Sequence, residues 1–254
     1  MRIRPFLQKY LRSYPEWCFK PPRVSRSREL TRFGSDYGGY FLDTSLLPRE
    51  PIIYSAGIGR DISFDLTLIE RYRCTVHAFD PTPKVQAWLA GQELPPEFRF
   101  HAVGLANFDG NADFYQPVQA DFISHSMVEG REYSSDSIPV CVMKLASLMK
   151  QLGHSRIDVL KMDVEGAEYG VMADLMRDRI EVDQIVVEFH HRLSSIGVRS
   201  TRRVLGDLAD YGLEVCYVSP RADVFTLIRR AVPDESVPNK SDLDKSAPGR
   251  PLAE

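Results

Sequence analysis

Cysteine is scarce in this chain: four residues in 254, at positions 18, 74, 141 and 216, with no C-x-x-C pair among them. Cys74, Cys141 and Cys216 fall inside apolar, strand-like runs, so they are expected to be buried thiols in a reducing compartment. Long apolar runs are missing too. No stretch approaches the roughly 18 apolar residues of a membrane-spanning helix, and the N-terminus lacks the apolar core of about 7 to 15 residues that marks a signal peptide. The expectation is a soluble, cytoplasmic protein with no transmembrane segment. The net charge is only -3, and no alternation of basic and aromatic residues offers a base-stacking track, so nucleic acid is not expected as a partner.

Charge is nevertheless uneven. Residues 1–32 hold nine Lys or Arg against Glu16 and Glu29, which is +7, leaving -10 on the remainder. Ile3, Phe6, Leu7, Tyr10 and Leu11 recur at helical spacing among Arg2, Arg4, Lys9 and Arg12. That stripe suits either weak contact with a membrane surface or docking on the domain's own core. Residues 231–254 carry Pro233, Pro238, Pro248 and Pro251 among Ser, Asp and Lys, the composition of a disordered tail. The chain thus divides into a basic arm, 1–33, a main domain, 34–230, and a tail, 231–254.

The main domain alternates strand-like and helical segments. Strands are predicted at 51–56, 74–79, 98–103, 157–162, 184–189, 213–218 and 223–229, and helices at 61–71, 166–177 and 199–211. The fold class is therefore α/β: a doubly wound, mainly parallel, Rossmann-like sheet of seven strands. The last two strands are joined only by Ser219-Pro220-Arg221-Ala222, too short for a parallel crossover, so they form an antiparallel C-terminal hairpin. Residues 104–143 are irregular: a hairpin is expected around Asn107 to Tyr115, then a polar loop, then a strand from Ile138 to Met143. Insertions of this kind cover a cofactor, bind substrate, or do neither.

Two segments carry chemistry. The first runs from Pro51 to Pro83: a strand, a turn at Gly57-Ile58-Gly59, a helix, and a strand ending in Asp80, 21 residues after Gly59. A glycine turn lets a ligand approach the backbone, and a carboxylate at the next strand end accepts hydrogen bonds from ribose hydroxyls. Nicotinamide dehydrogenases and S-adenosylmethionine (SAM) methyltransferases share this design. The dinucleotide fingerprint G-x-G-x-x-G has Ile62 here in place of its third glycine, and Asp61 at the helix start would repel a pyrophosphate. Asp61 either caps the helix or faces the sulfonium or amino group of SAM. The second segment is IDVLKMDVEGAE, 157–168, where Asp163 ends a strand and Glu165 and Glu168 follow, next to QIVVEFHH, 184–191, with Glu188, His190 and His191. Carboxylates and an imidazole at neighbouring strand ends face one crevice; His190 suits a proton acceptor, with Asp163 or Glu188 to orient it. Glu168 also reads simply as a charge favouring the helix N-terminus.

These segments resemble the FkbM-type SAM-dependent methyltransferases. KMDVEGAE at 161–168 is similar to that family's K-x-D-V-E-G-x-E signature, supported by YSAGIGRDISFD (54–65), HAFDPTP (77–83), VVEFH (186–190) and ADVFTLIRR (222–230). One departure stands out: Ser55 occupies the place of the first acidic residue in the family's usual turn, D-x-G-A-N-x-G. The resemblance implies a class I methyltransferase fold, SAM as cofactor, and methyl transfer to an oxygen of a small molecule, sugar or glycan. It implies cofactor contacts from Ser55, Gly57, Gly59, Asp61, Asp80 and Gly104, and acceptor contacts from Asp163, Glu165 and His190. Asp163 and Glu188 as cation ligands lack a fixed third partner, so no metal is assigned. Two other readings fit these residues: a nicotinamide-dependent oxidoreductase, and a non-catalytic SAM-fold module that docks through its basic arm.

Overall fold

The computed structural model describes residues 29–118, 126–127, 133–193 and 195–230. The apolar stripe of the arm, Cys18 and the Pro-rich tail lie outside the described residues. In chain order, a hairpin of β1 (Leu30–Phe33) and β2 (Tyr40–Asp43) leads into β3 (Ile53–Ala56), α1 (Ser63–Tyr72), β4 (Val76–Phe79), α2 (Pro83–Leu89) and β5 (Phe98–His101). An insertion follows: β6 (Gly104–Leu105), β7 (Gly110–Pro117) and β8 (Tyr133–Met143). Then come α3 (Leu145–Leu152), β9 (Ile157–Met162), α4 (Glu168–Arg177), β10 (Val182–Glu188), α5 (Val198–Asp210), β11 (Leu213–Val218) and β12 (Val224–Arg229).

Seven strands form one sheet in the order β11-β12-β10-β9-β3-β4-β5. The strands from β5 to β10 are parallel, and β12 runs antiparallel to both β10 and β11. This is the expected doubly wound sheet with its antiparallel hairpin. The order reverses between β3 and β9, which opens a crevice at their C-terminal ends. β9 is buried at all six residues, as a central strand covered on both faces must be, and it reads as a continuous run for that reason. α4 buries Val171, Met172 and Leu175 against the sheet. Segment 61–71, whose apolar residues also alternate with period two, is a helix, with Phe64, Leu68 and Ile69 buried on one side.

Three features differ from the sequence expectation. The β1–β2 hairpin was not foreseen, and β1 lies within the residues assigned to the arm. Its seat is mixed: Phe33, Tyr40 and Leu42 are buried in the core, while Asp43 N–H donates to Gln184 Oε1 at 2.9 Å, Gln184 Nε2 donates to the Asp43 carbonyl at 3.0 Å, and Thr226 Oγ1 donates to the Phe41 carbonyl at 2.7 Å. Second, residues 107–115 do not fold back on themselves; β7 pairs antiparallel with β8, and β8 begins at Tyr133 rather than Ile138. Backbone pairing carries the exposed polar residues 135–137 into the strand, where side-chain patterning gives no signal. Third, Cys141 is exposed while Cys74 and Cys216 are buried. Its neighbours Val140 and Val142 point inward, so the period-two alternation of a strand turns Cys141 out.

Candidate active site

The glycine turn is wedged between two strand ends. Gly57 N–H donates to the Phe79 carbonyl at 2.8 Å, and Asp163 N–H donates to the Ala56 carbonyl at 3.0 Å. Gly57 has φ +72°, and a Cβ on it would lie 1.7 Å from the Asp163 carbonyl oxygen. The close approach that demands glycine here is thus made by the β9 loop. Gly59 also has positive φ, +54°, and its N–H donates to Asp80 Oδ2 at 3.2 Å.

Asp80 is buried, and Thr82 donates to its Oδ1 through both N–H and hydroxyl, at 2.9 and 2.6 Å. Burial raises its pKa against these bonds. Gly104 packs behind it: a Cβ there would meet Pro81 Cγ at 3.0 Å and Val142 Cγ1 at 3.2 Å. Asp61 takes the capping role, accepting from Ser63 N–H at 2.9 Å. It also accepts from the Ser35 hydroxyl at 2.6 Å, which ties the β1–β2 turn to the start of α1. Burial opposes its charge, but the bonds from Ser35 and Ser63 lower its pKa.

Ser55 lies on β3, beside the turn. It is fully buried within the sheet, paired in register with Lys161. Lys161 is a residue beside the glycine turn that the site assignment from sequence did not include. Although buried, its Nζ donates to the Gly57 carbonyl at 2.6 Å and to the Ala56 carbonyl at 3.2 Å. Asp65 of α1 lies near this ammonium. Burial raises the Asp65 pKa to about 6, while the Ser55 hydroxyl and the Lys161 charge act to lower it. A lysine inside the apolar run IDVLKM was the available signal, since such a side chain needs partners.

Beyond the turn, Asp163, Glu165 and His190 converge. His190 Nε2 lies 3.2 Å from Glu165 Oε2 and 3.6 Å from Asp163 Oδ1. Neither Asp163 nor Glu188 holds the other ring nitrogen: Nδ1 faces Glu168 Oε1 at 3.3 Å. Glu168, whose place at a helix start suggested only a favourable charge, is fully buried and also accepts from the backbone N–H groups of His190 and Gly166, at 2.7 and 2.8 Å. Burial works against the charge on His190, yet Glu165, Glu168 and Asp163 outweigh it and raise its pKa well above the ordinary value. Glu188 is pushed up to about 7, first by burial and then by the charge of Asp163.

The insertion closes one side of this cluster. The Tyr133 hydroxyl donates to Glu165 Oε2 at 3.3 Å and the Ser126 hydroxyl donates to the Glu165 carbonyl at 2.5 Å. An open groove lies between the insertion and the start of α4, with Asn107, Asp113, Tyr115 and Gly166 among its lining residues. On the β1–β2 turn Tyr37 stands 93% exposed.

The mainly parallel seven-stranded sheet with its antiparallel hairpin is an α/β fold of the class I methyltransferase type. The profile described as "Methyltransferase FkbM domain" matches residues 55–215, and the chain belongs to that family. It is 29% identical over 140 residues to the human protein "Probable methyltransferase-like protein 24", and 28% identical to the protein of that name from Rattus norvegicus. Each match covers 54% of this chain and 32% of the relative, so the chain spans about a third of those proteins. Among solved structures, the methyltransferase FkbM from Methylobacillus flagellatus KT has 15% identity and a TM-score of 0.44, covering 74% of this chain and 46% of that one. Fibrillarin from Aeropyrum pernix, solved with natively bound SAM, has 12% identity and a TM-score of 0.40, covering 81% and 84%. No helix among the described residues is long and apolar enough to cross a membrane.

Proposed function

We propose that this chain transfers the methyl group of SAM to an oxygen of a hydroxylated small molecule or glycan. The observation that carries the proposal is the common edge shared by the Gly57–Gly59 turn with Asp80 and the Asp163–Glu165–His190 cluster: Asp163 meets the turn through its backbone and His190 through its side chain. A cofactor in the turn and an acceptor at the cluster are therefore neighbours.

In this reading Asp80 accepts the ribose hydroxyls, the turn at Gly57 and Gly59 receives the methionyl end, and Gly104 flanks the adenine behind Pro81. The acceptor oxygen forms a bond to the methyl carbon as the carbon–sulfur bond breaks, and the electron pair stays on sulfur in S-adenosylhomocysteine. The hydroxyl proton leaves to solvent past the Asp163–Glu165–His190 cluster, in which Glu168 fixes the His190 ring. The exposed ring of Tyr37 offers a flat apolar face to a sugar. Ile62, buried where a dinucleotide site has its third glycine, disfavours the oxidoreductase alternative.

The test is incubation with SAM bearing a trideuteriomethyl group and a panel of sugars, glycans and hydroxylated small molecules, read by mass spectrometry. Label in a new methyl ether, lost in Asp163→Asn, is the expected result. Label recovered on nitrogen or carbon would overturn the assignment to oxygen.

A further inference from the structure

Asp163, Glu165 and His190 each present one ligand atom, and these atoms all lie within 4.8 Å of one another. Donors bound to a single divalent ion at about 2.0–2.2 Å stand roughly 2.8–3.6 Å apart along the edges of an octahedron or tetrahedron. The Nε2 spacings of 3.2 Å to Glu165 and 3.6 Å to Asp163 already have that size. The imidazole is also arranged as a ligand is. Its Nδ1 is backed by the fully buried Glu168 at 3.3 Å, the carboxylate-behind-histidine arrangement that fixes the ring and aims Nε2 at Asp163 and Glu165.

The rest of the site is held in place from outside. Glu165 adopts φ +50°, uncommon for a residue with a side chain, and the insertion pins it through Tyr133 and Ser126. The three side chains keep 28%, 20% and 15% of their surface open for Asp163, Glu165 and His190, which leaves an accessible side for a further ligand.

We propose that Asp163, Glu165 and His190 form a binding site for a divalent transition-metal ion, of the Mn²⁺ or Zn²⁺ type, at the acceptor side of the crevice. One imidazole with two carboxylates favours such ions over Mg²⁺ or Ca²⁺, which prefer oxygen alone. The inference deepens the methyl-transfer reading and rests on it for its purpose: a hydroxyl bound to the ion on its open side is more acidic and is held beside the cofactor turn. With the ion bound, Nε2 carries metal instead of a proton, and the hydroxyl proton leaves to solvent.

The test uses the full chain, stripped with EDTA and dialysed. It is titrated with MnCl₂ and, separately, ZnCl₂ by calorimetry, and with SAM in a parallel sample. One ion per chain, bound at least tenfold more weakly by Glu165→Gln, is the expected result. Electron spin echo spectra of the Mn²⁺ form of the parent protein should show coupling to an imidazole nitrogen, a readout that needs no variant. Binding of neither ion, binding unchanged in Glu165→Gln, or no nitrogen coupling would overturn the site. SAM binding in the parallel sample separates failure of the metal site from failure of the methyl-transfer reading.

Discussion

Glu168 Oε1 accepts the backbone N–H of His190 at 2.7 Å and faces the same residue's ring Nδ1 at 3.3 Å. A single buried oxygen thus sets both where the chain leaves β10 and which way the imidazole points. Because the carboxylates around it outweigh burial, His190 has a raised pKa in the folded, metal-free protein. A raised histidine pKa contributes stability that is fully present below about 6.5, the unfolded value, and is lost as the pH rises through the folded value.

Glu168→Gln keeps an oxygen for the backbone bond but removes the charge. The His190 pKa, followed by NMR titration of the metal-free protein, should fall in this variant. The stability difference between parent and variant should be about 1–3 kcal/mol below pH 6.5 and should narrow as the pH rises. A gap that widens with pH would show that Glu168 is not a counter-charge to His190.

Lys161 clamps the glycine turn by donating to the carbonyls of Ala56 and Gly57. Lys161→Met leaves those carbonyls and the buried Asp65 without their cation. Denaturant unfolding should show a loss of about 3–5 kcal/mol, as expected when one partner of a buried charge arrangement is removed. SAM affinity should fall as well. Unchanged stability would mean the ammonium is not a structural clamp.

Gly57→Ala would place a methyl group 1.7 Å from the Asp163 carbonyl at a backbone φ of +72°. Neither can be relieved without parting β3 from β9. The expected cost is about 2–4 kcal/mol from overpacking and strain, read as a lower thermal midpoint. Gly206→Ala, where nothing lies within 4 Å, is the control that should cost nothing.

Much of this fold is legible in the sequence where burial is continuous. β9 and β11 begin and end at the residues that their apolar runs suggest, and the Ser219–Ala222 turn correctly implies an antiparallel hairpin. The β1–β2 hairpin escapes because strands of four residues carry little periodicity, and the bonds that seat it join residues 141 and 185 positions apart. The site is legible in part for the same reason. Asp163, Glu165 and His190 are readable because each sits at a strand end or just beyond it. The orienting role of Glu168 is hidden because only the fold brings His190, 22 residues away, onto it. Ser55, which the resemblance assigns to the cofactor, is fully buried and pairs in register with Lys161.

Calorimetric titration of the full chain with SAM and, separately, with NAD, in the parent and in Asp80→Asn, tests the cofactor assignment most directly. The expected result is SAM binding that weakens at least tenfold in the variant, about 1.4 kcal/mol, with no heat from NAD. NAD binding without SAM binding, or SAM binding indifferent to Asp80→Asn, would contradict it.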